Sequence, residues 1–455
     1  MEKKDLTKGS IVRNIFGFAL PYMLASLLQS LYGLADLYVI GRYCGVDATT
    51  AVSNGAQVMY FVTVVVIGLA MGTTVRIAHA VGAKDHPMRD RVMGNSITFF
   101  LILSVLMSAL LLMLTRPVVG WMQTPAEAVQ GTCHYLAVCF AGVPFIVAYN
   151  IISSMFRGLG DTRTPMVFVA VACAVNVALD FILIGGADMG PMGAALATTL
   201  SQATSVLFAV WAVRRRMPGL RLQRADFRLR RPVLSNILKI GVPVALQDGF
   251  IQVSFILIAV IANMRGLDDA AAVGIVEKFI GLLFIVPSAM LATVSAMAAQ
   301  NIGAGYMERA RRTLYCAVGI TFSFGLLCAC IVQLCPESCV SIFTDNERVM
   351  ALGAGYLSSY VWDCALAGVH FCFSGFFTSC GLPLVPFCHN VVSIVTARVP
   401  LSYLFSVRYP ASLYPMGWAA PIGSVVSIAI CLVAYAVLLR RQKRTREVLQ
   451  PADIS

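Results

Sequence analysis

Charged side chains are scarce in this chain: Asp, Glu, Lys and Arg make up 12% of its 455 residues, while 58% are hydrophobic. A soluble domain of this size needs far more charge to cover its surface, so a water-soluble globular protein is excluded. The scarcity is also uneven. Residues 92–115, 128–156, 189–213, 279–307, 364–397 and 409–439 contain no Asp, Glu, Lys or Arg. A membrane helix needs about 20 apolar residues to cross the hydrocarbon core, and each run supplies one. Strand-length segments of alternating residues are missing, which excludes a barrel. Helices remain, because backbone polar groups in lipid must be satisfied within the span. HExxH and Walker A motifs are missing too, as is any CxxC pair among the 14 cysteines, so nothing points to an enzyme, a cofactor or a structural metal. Most cysteines sit singly in apolar runs as small hydrophobes. Cys335 and Cys339, expected on the outer side, are spaced for a disulfide.

What is present is an all-α integral membrane pattern of about twelve spans. They fall near 14–40, 51–80, 92–115, 132–156, 165–186, 192–213, 236–262, 270–298, 315–337, 355–377, 387–408 and 417–439. The basic start (Lys3, Lys4, Lys8, Arg13) leads into a full-length span without a small-residue cleavage site, so no cleavable signal peptide is expected. The net charge of +12 invites a nucleic-acid reading, but its placement opposes one. With Met1 cytoplasmic, 26 of the 34 Lys and Arg fall on the cytoplasmic side. Arg42, Arg116, Arg265, Arg348 and Arg408 fall outside, and Arg76, Lys278 and Arg398 lie in spans or near their ends. This positive-inside bias predicts a multi-pass protein of the plasma (bacterial inner) membrane with both termini cytoplasmic. The segments Arg214–Arg231 and Arg440–Arg446 are expected near anionic headgroups.

The basic, proline-bearing stretch after residue 213 divides two similar halves. Six-helix lobes are expected at 1–213 and 236–440, with a linker at 214–235 and a tail at 441–455. Landmarks repeat in order. Ala19-Leu-Pro21 matches Gly241-Val-Pro243, and Gly82-Ala-Lys84 matches Gly303-Ala-Gly305. Gly142-Val-Pro-Phe145 is paired with Gly368-Val-His-Phe371, Gly160 and Pro165 with Gly381 and Pro386, and Pro191-Met-Gly193 with Pro415-Met-Gly417. An even number of spans per half makes these parallel repeats, related by an axis along the membrane normal.

Intramembrane carboxylates are costly and signal function. Asp36 lies deep in span 1. Asn176 and Asp180 share one face of span 5 at i, i+4, and Asn150 and Thr198 are placed to add neutral oxygens. Carboxylates with neutral oxygens make a hard-ligand site for a small cation, with Na⁺ at Asp36, Asn176 and Asp180. Equally, two acids brought together in a low-dielectric setting favour holding a proton. The acidic set is not repeated: Asp36 falls opposite Ile258, Asn176 near Arg398 and Asp180 opposite Ser402. Asp248 and Asp363 are candidates for lining a substrate cavity, together with Gln29, Tyr32, Gln57, Gln202 and Gln247. Glu277 beside Lys278 reads as an interfacial pair, and Arg76 with His79 as a snorkelling end.

These residues resemble the multidrug and toxic compound extrusion (MATE) family along nearly the whole chain. The resemblance rests on Pro21, Gln29, Leu31-Tyr-Gly-Leu-Ala-Asp-Leu-Tyr-Val-Ile-Gly41, Gly82-Ala-Lys84 and Arg157-Gly-Leu-Gly-Asp-Thr-Arg-Thr-Pro-Met166. It continues through Asn176-Val-Ala-Leu-Asp180, Gly193-Ala-Ala-Leu-Ala-Thr198 and Ala299-Gln-Asn-Ile-Gly-Ala304. It implies a V-shaped, twelve-helix antiporter, working as a monomer, that exports cationic amphipathic small molecules against inward H⁺ or Na⁺. In the branch with N-lobe carboxylates the motif selects Asp36, Asn150, Asn176, Asp180 and Thr198. Another branch uses acids in spans 7 and 10, where this chain has Ile251 and Ala367, each about a turn from Asp248 and Asp363. A lipid-linked oligosaccharide flippase of the same wider superfamily is the alternative. Gly158-Leu-Gly-Asp161 fits the G-x-G-D pattern of an intramembrane aspartyl protease, but Arg157 and Arg163 place it in a loop.

Overall fold

The computed structural model describes residues 5–216 and 222–449, and among these every regular element is helical. Ten helices are long and apolar enough to span a membrane, and two bent pairs raise the number to twelve. We number them as spans 1 (Ile11–Tyr43), 2 (Val46–Gly82), 3 (His86–Met113), 4 (Ala126–Ala141 with Val143–Gly158), 5 (Arg163–Gly186) and 6 (Gly190–Val213). The second set is 7 (Arg231–Asn263), 8 (Leu267–Gly303), 9 (Met307–Leu334), 10 (Glu347–Tyr360 with Asp363–Ser379), 11 (Leu384–Arg408) and 12 (Tyr414–Lys443). Part of the expected linker, residues 217–221, and the last tail residues lie outside the described residues. The helix of span 12 runs on to Leu449, so the first part of the expected tail continues it.

Local sequence explains the interruptions. Span 4 bends by 48° at Gly142, where Pro144 opens the second piece and withholds the N–H that would have bonded back to Phe140. Span 10 bends by 42° between Tyr360 and Asp363. Spans 5 and 11 each carry a π-turn, Phe181–Gly186 and Ile394–Arg398, a widened turn that is frequent at functional sites. The loop before span 5 is built by Gly160, at φ +89°, and by Asp161, which accepts from Arg163 N (2.9 Å), Thr164 N (3.1 Å) and Thr164 Oγ1 (2.6 Å). Asp161 is therefore a helix-start cap in a turn, which accounts for it without catalysis.

Packing sorts the chain into two compact units: residues up to Gly249 with Ser295–Thr313, and Phe250–Val294 with Leu314 onward. Sequence places the division at the linker, whereas packing draws parts of spans 7, 8 and 9 into the first unit. The reason lies in glycine contacts. A Cβ on Gly82 would lie 1.9 Å from the Gln300 carbonyl oxygen, and one on Gly303 would lie 2.2 Å from that of His79. Gln300 Nε2 also donates to the Gly158 carbonyl at 2.9 Å. Arg309 Nη2 donates to the carbonyls of Lys8 (3.0 Å) and Gly9 (2.7 Å), and the neighbouring Leu6 is fully buried. The core of this unit runs through Val52, Ile77, Val92 and Leu136.

Residues 222–230 are docked on span 3. Asn95 Nδ2 donates to the Asp226 carbonyl (2.9 Å), its Oδ1 accepts from Arg230 N (2.7 Å), and Thr98 Oγ1 donates to the Phe227 carbonyl (2.8 Å). In the second unit the core holds Ile258, Val276, Leu357 and Tyr360. Arg265 ties down the end of span 11, pairing with Asp269 (2.8 Å) and donating to the carbonyls of Ser406 (2.7 Å) and Pro410 (2.9 Å). A cation there suits the negative end of a helix. Glu277 and Lys278 do not pair. Adjacent helical residues point about 100° apart, so Lys278 is exposed while Glu277 turns inward with a buried, unpartnered Oε1. Cys335 and Cys339 are free thiols.

Candidate functional site

Spans 1, 5 and 6 of the first unit bring four of the expected residues together. Asp36 is 5% exposed, Asn176 1% and Asp180 0%. Asp36 and Asp180 lie close enough for each to feel the other's charge, with Asn176 nearby. Thr198 Oγ1 donates to Asp36 Oδ2 over a long 3.4 Å. Asp36 Oδ1, both Asp180 oxygens and both amide atoms of Asn176 are buried without a hydrogen-bond partner. Among the described residues no Lys or Arg forms an ion pair with either acid. Two ionised carboxylates this close repel each other, and burial adds to the cost. A shared proton or a small cation removes both penalties, and the orphaned oxygens are the atoms that would receive it.

Local structure aims these groups. The i, i+4 spacing stacks Asn176 under Asp180, and Asp180 is the last residue of regular α-helix before the π-turn. Asn150 lies elsewhere. Its Nδ2 donates to the Ile146 carbonyl (2.9 Å), and it lines a neighbouring cavity with Tyr22, Ser26, Gln29, Tyr149 and Arg157. That cavity encloses about 440 Å³ including its mouth, and Arg157 sits 5.6 Å over the Tyr22 ring.

The other expected substrate-cavity residues are distributed over both units. Gln29 lines the first-unit cavity, and Tyr32 is half-buried within electrostatic range of Asp36. Gln57 is exposed, Gln202 and Gln247 are buried, and Asp248 is half-buried. Asp363 belongs to the second unit, where it is buried and accepts a short hydrogen bond from Ser424 Oγ.

Sequence reasoning passed over the surroundings of Asp363. His370 Nε2 lies 3.3 Å from the same Ser424 hydroxyl, and the His370 and His389 rings are 5.4 Å apart. His389 Nε2 lies 2.9 Å from Ser374 Oγ. Arg398, on the π-turn of span 11, donates from Nη2 to the Tyr360 hydroxyl (2.7 Å) and stacks 4.6 Å over the Phe255 ring. Its position opposite Asn176 in the repeat was the available signal.

Helical spans repeated in two halves, with Asp36 and Asp180 buried without a basic ion-pair partner, are the construction of an integral membrane transporter. The MatE family pattern matches residues 21–182 and, 222 residues further on, 243–404. The chain belongs to the MatE family, whose members are membrane transporters and not enzymes. Similar over nearly its full length is the probable multidrug resistance protein YoeA of Bacillus subtilis, 24% identical across 97% of this chain and 96% of that one. The multidrug export protein MepA of Staphylococcus aureus is 23% identical across 97% and 98%. Among solved structures, a Pyrococcus furiosus MOP superfamily transporter, described as having a binding pocket of reversed polarity, superposes at TM-score 0.90. It is 23% identical, with 96% of this chain and 98% of that one covered. The 222-residue offset places Gly142 opposite Cys364, within a few residues of the bend in span 10. The pairing of Gly142 with Gly368 is therefore displaced by about one turn.

Proposed function

We propose that the chain is a secondary-active multidrug exporter in which H⁺ or Na⁺, received between Asp36 and Asp180, drives outward movement of cationic, amphipathic small molecules. The observation that carries this is the closeness of two buried carboxylates with no basic partner and with oxygens left over. The multidrug resistance and export roles named for the relatives in Bacillus and Staphylococcus support the cargo class. The positive-inside bias supports a plasma-membrane protein with both termini cytoplasmic, and a monomer suffices for the site.

The cycle follows from charge. With both acids ionised, spans 1 and 5 are pushed apart at Asp36 and Asp180. Neutralisation by a proton or Na⁺ removes that repulsion and lets the spans close. Asp180 borders a π-turn and span 1 carries Pro21 inside its helix, so both have points at which a small change of force becomes a change of direction. The ion drives transport only through a difference in its affinity for the two arrangements.

The test is flux in oriented proteoliposomes, with an imposed Na⁺ or H⁺ gradient and a panel of lipophilic cations, in wild type and in Asp36→Asn. Gradient-driven flux that vanishes in the variant supports the reading and names the ion. Undiminished flux in the variant removes the coupling role from this site.

A further inference from the structure

The second unit contains a cavity of about 480 Å³, including its mouth, that the coupling site does not use. Arg398, Asp363 and His370 line it together with the rings of Phe255, Phe284 and Phe371. Opposite charges sharing a low-dielectric cavity normally collapse into an ion pair, because burial without one is costly. Here they do not. Arg398 forms no ion pair with Asp363 or with Glu277, although it feels the charge of both.

Neutral groups hold the charges apart. The Tyr360 hydroxyl and the Phe255 face take the guanidinium, and Ser424 takes the carboxylate. Arg398 Nε and His370 Nδ1 remain buried without a protein partner. The cavity thus offers a guanidinium fork for a carboxylate, a carboxylate for an ammonium, and aromatic rings in its wall against which an apolar body packs. The Phe284 and Phe371 rings stand edge to face at 6.1 Å. A simple organic cation would leave the guanidinium unanswered and meet its repulsion, and a simple anion would meet Asp363. A molecule carrying both charges satisfies both ends.

We infer that the second unit holds a binding site for amphoteric aromatic molecules, with Arg398 receiving the carboxylate, Asp363 the ammonium, and Phe255, Phe284 and Phe371 the ring. The inference rests on the export reading only in taking the bound molecule to be cargo.

Three probes with one ring and different charge test it on the purified full-length protein: L-phenylalanine, phenethylamine and 3-phenylpropionate, with affinity read by microscale thermophoresis. The zwitterion is expected to bind at least tenfold more tightly than either of the others. Arg398→Gln should erase its advantage over phenethylamine, and Asp363→Asn its advantage over 3-phenylpropionate. Arg398→Lys, which keeps the charge and loses the fork, should retain part of the advantage and serves where Arg398→Gln does not fold. Equal binding of zwitterion and amine, no binding of any probe, or an advantage that survives the loss of Arg398 overturns the inference. Gradient-driven cation flux is a separate readout, so either this site or the coupling site can fail alone and be seen to do so.

Discussion

Lys84 and Gly305 hold the same left-handed backbone conformation, at φ +56° and +81°, in the turns that follow spans 2 and 8. Only the second has the residue suited to it. A side chain with a Cβ costs about 1–2 kcal/mol in this region, partly offset by the lower entropy of the non-glycine chain when unfolded. Lys84→Gly should therefore raise the midpoint of thermal unfolding in detergent, and Gly305→Ala should lower it. A lower midpoint for Lys84→Gly would mean that the lysine side chain makes up the strain through contacts of its own.

Gly82 permits the closest backbone approach in the first unit. A methyl group there would overlap the Gln300 carbonyl, and backbone cannot move aside as a flexible side chain can. Gly82→Ala should destabilise by about 3 kcal/mol, seen as loss of monodisperse protein on size exclusion. Gly249→Ala, with nothing near its added methyl, is the matched control and should behave as wild type.

How much of this was legible beforehand depended on how far each effect reaches along the chain. Asp36 and Asp180 stood out because a carboxylate inside an apolar run is costly wherever its neighbours lie. The Asn176–Asp180 face followed from helix periodicity alone, and the turn at Gly160 from glycine and proline spacing. Arg398 was visible as a cation in or near a span and as the repeat counterpart of Asn176, but not as a site residue. Its burial depends on Phe255 and Tyr360 from two other spans, which no local pattern specifies. Asn150 was grouped with the acids by motif, yet its amide is satisfied within its own helix. Asn95 gave no signal, since a polar residue near the start of a span ordinarily reads as solvated.

Asn95 supplies a direct check on the docked segment. Asn95→Ala removes both the donor to Asp226 and the acceptor for Arg230, each worth about 1 kcal/mol. Amide hydrogen exchange across residues 222–230 should quicken in the variant while span 3 stays protected. Unchanged exchange would mean that Thr98 and packing hold the segment without it.

Thr198 distinguishes the two coupling ions. Thr198→Val keeps the shape and removes the oxygen beside Asp36. If Na⁺ couples transport, the half-saturating Na⁺ concentration should rise severalfold with maximal flux retained, because a hard cation loses one neutral oxygen. If H⁺ couples transport, flux at saturating gradient should persist and show no Na⁺ dependence. Complete loss of flux with the protein intact would instead give the hydroxyl a part in the movement itself.

Arg309 grips the two carbonyls just before span 1, and hydrogen bonds from a charged donor are worth about 1.5–3 kcal/mol each. Arg309→Gln should expose Leu6 and speed proteolysis of the amino-terminal segment, leaving the rest of the chain resistant. An unchanged cleavage rate would show that burial of Leu6 alone secures that segment.

The π-turn of span 5 has a consequence for how such a chain can change by insertion and deletion. A widened turn holds one residue more than an α-turn, so shortening Phe181–Gly186 by a single residue would restore ordinary winding. Everything beyond would keep nearly the same place around the helix axis, because the widened turn already takes up the surplus residue, and Asp180 and all that precedes it would keep theirs. The surplus residue is thus absorbed within a single turn. A one-codon deletion there would remove the π-turn without re-aiming either end of the span.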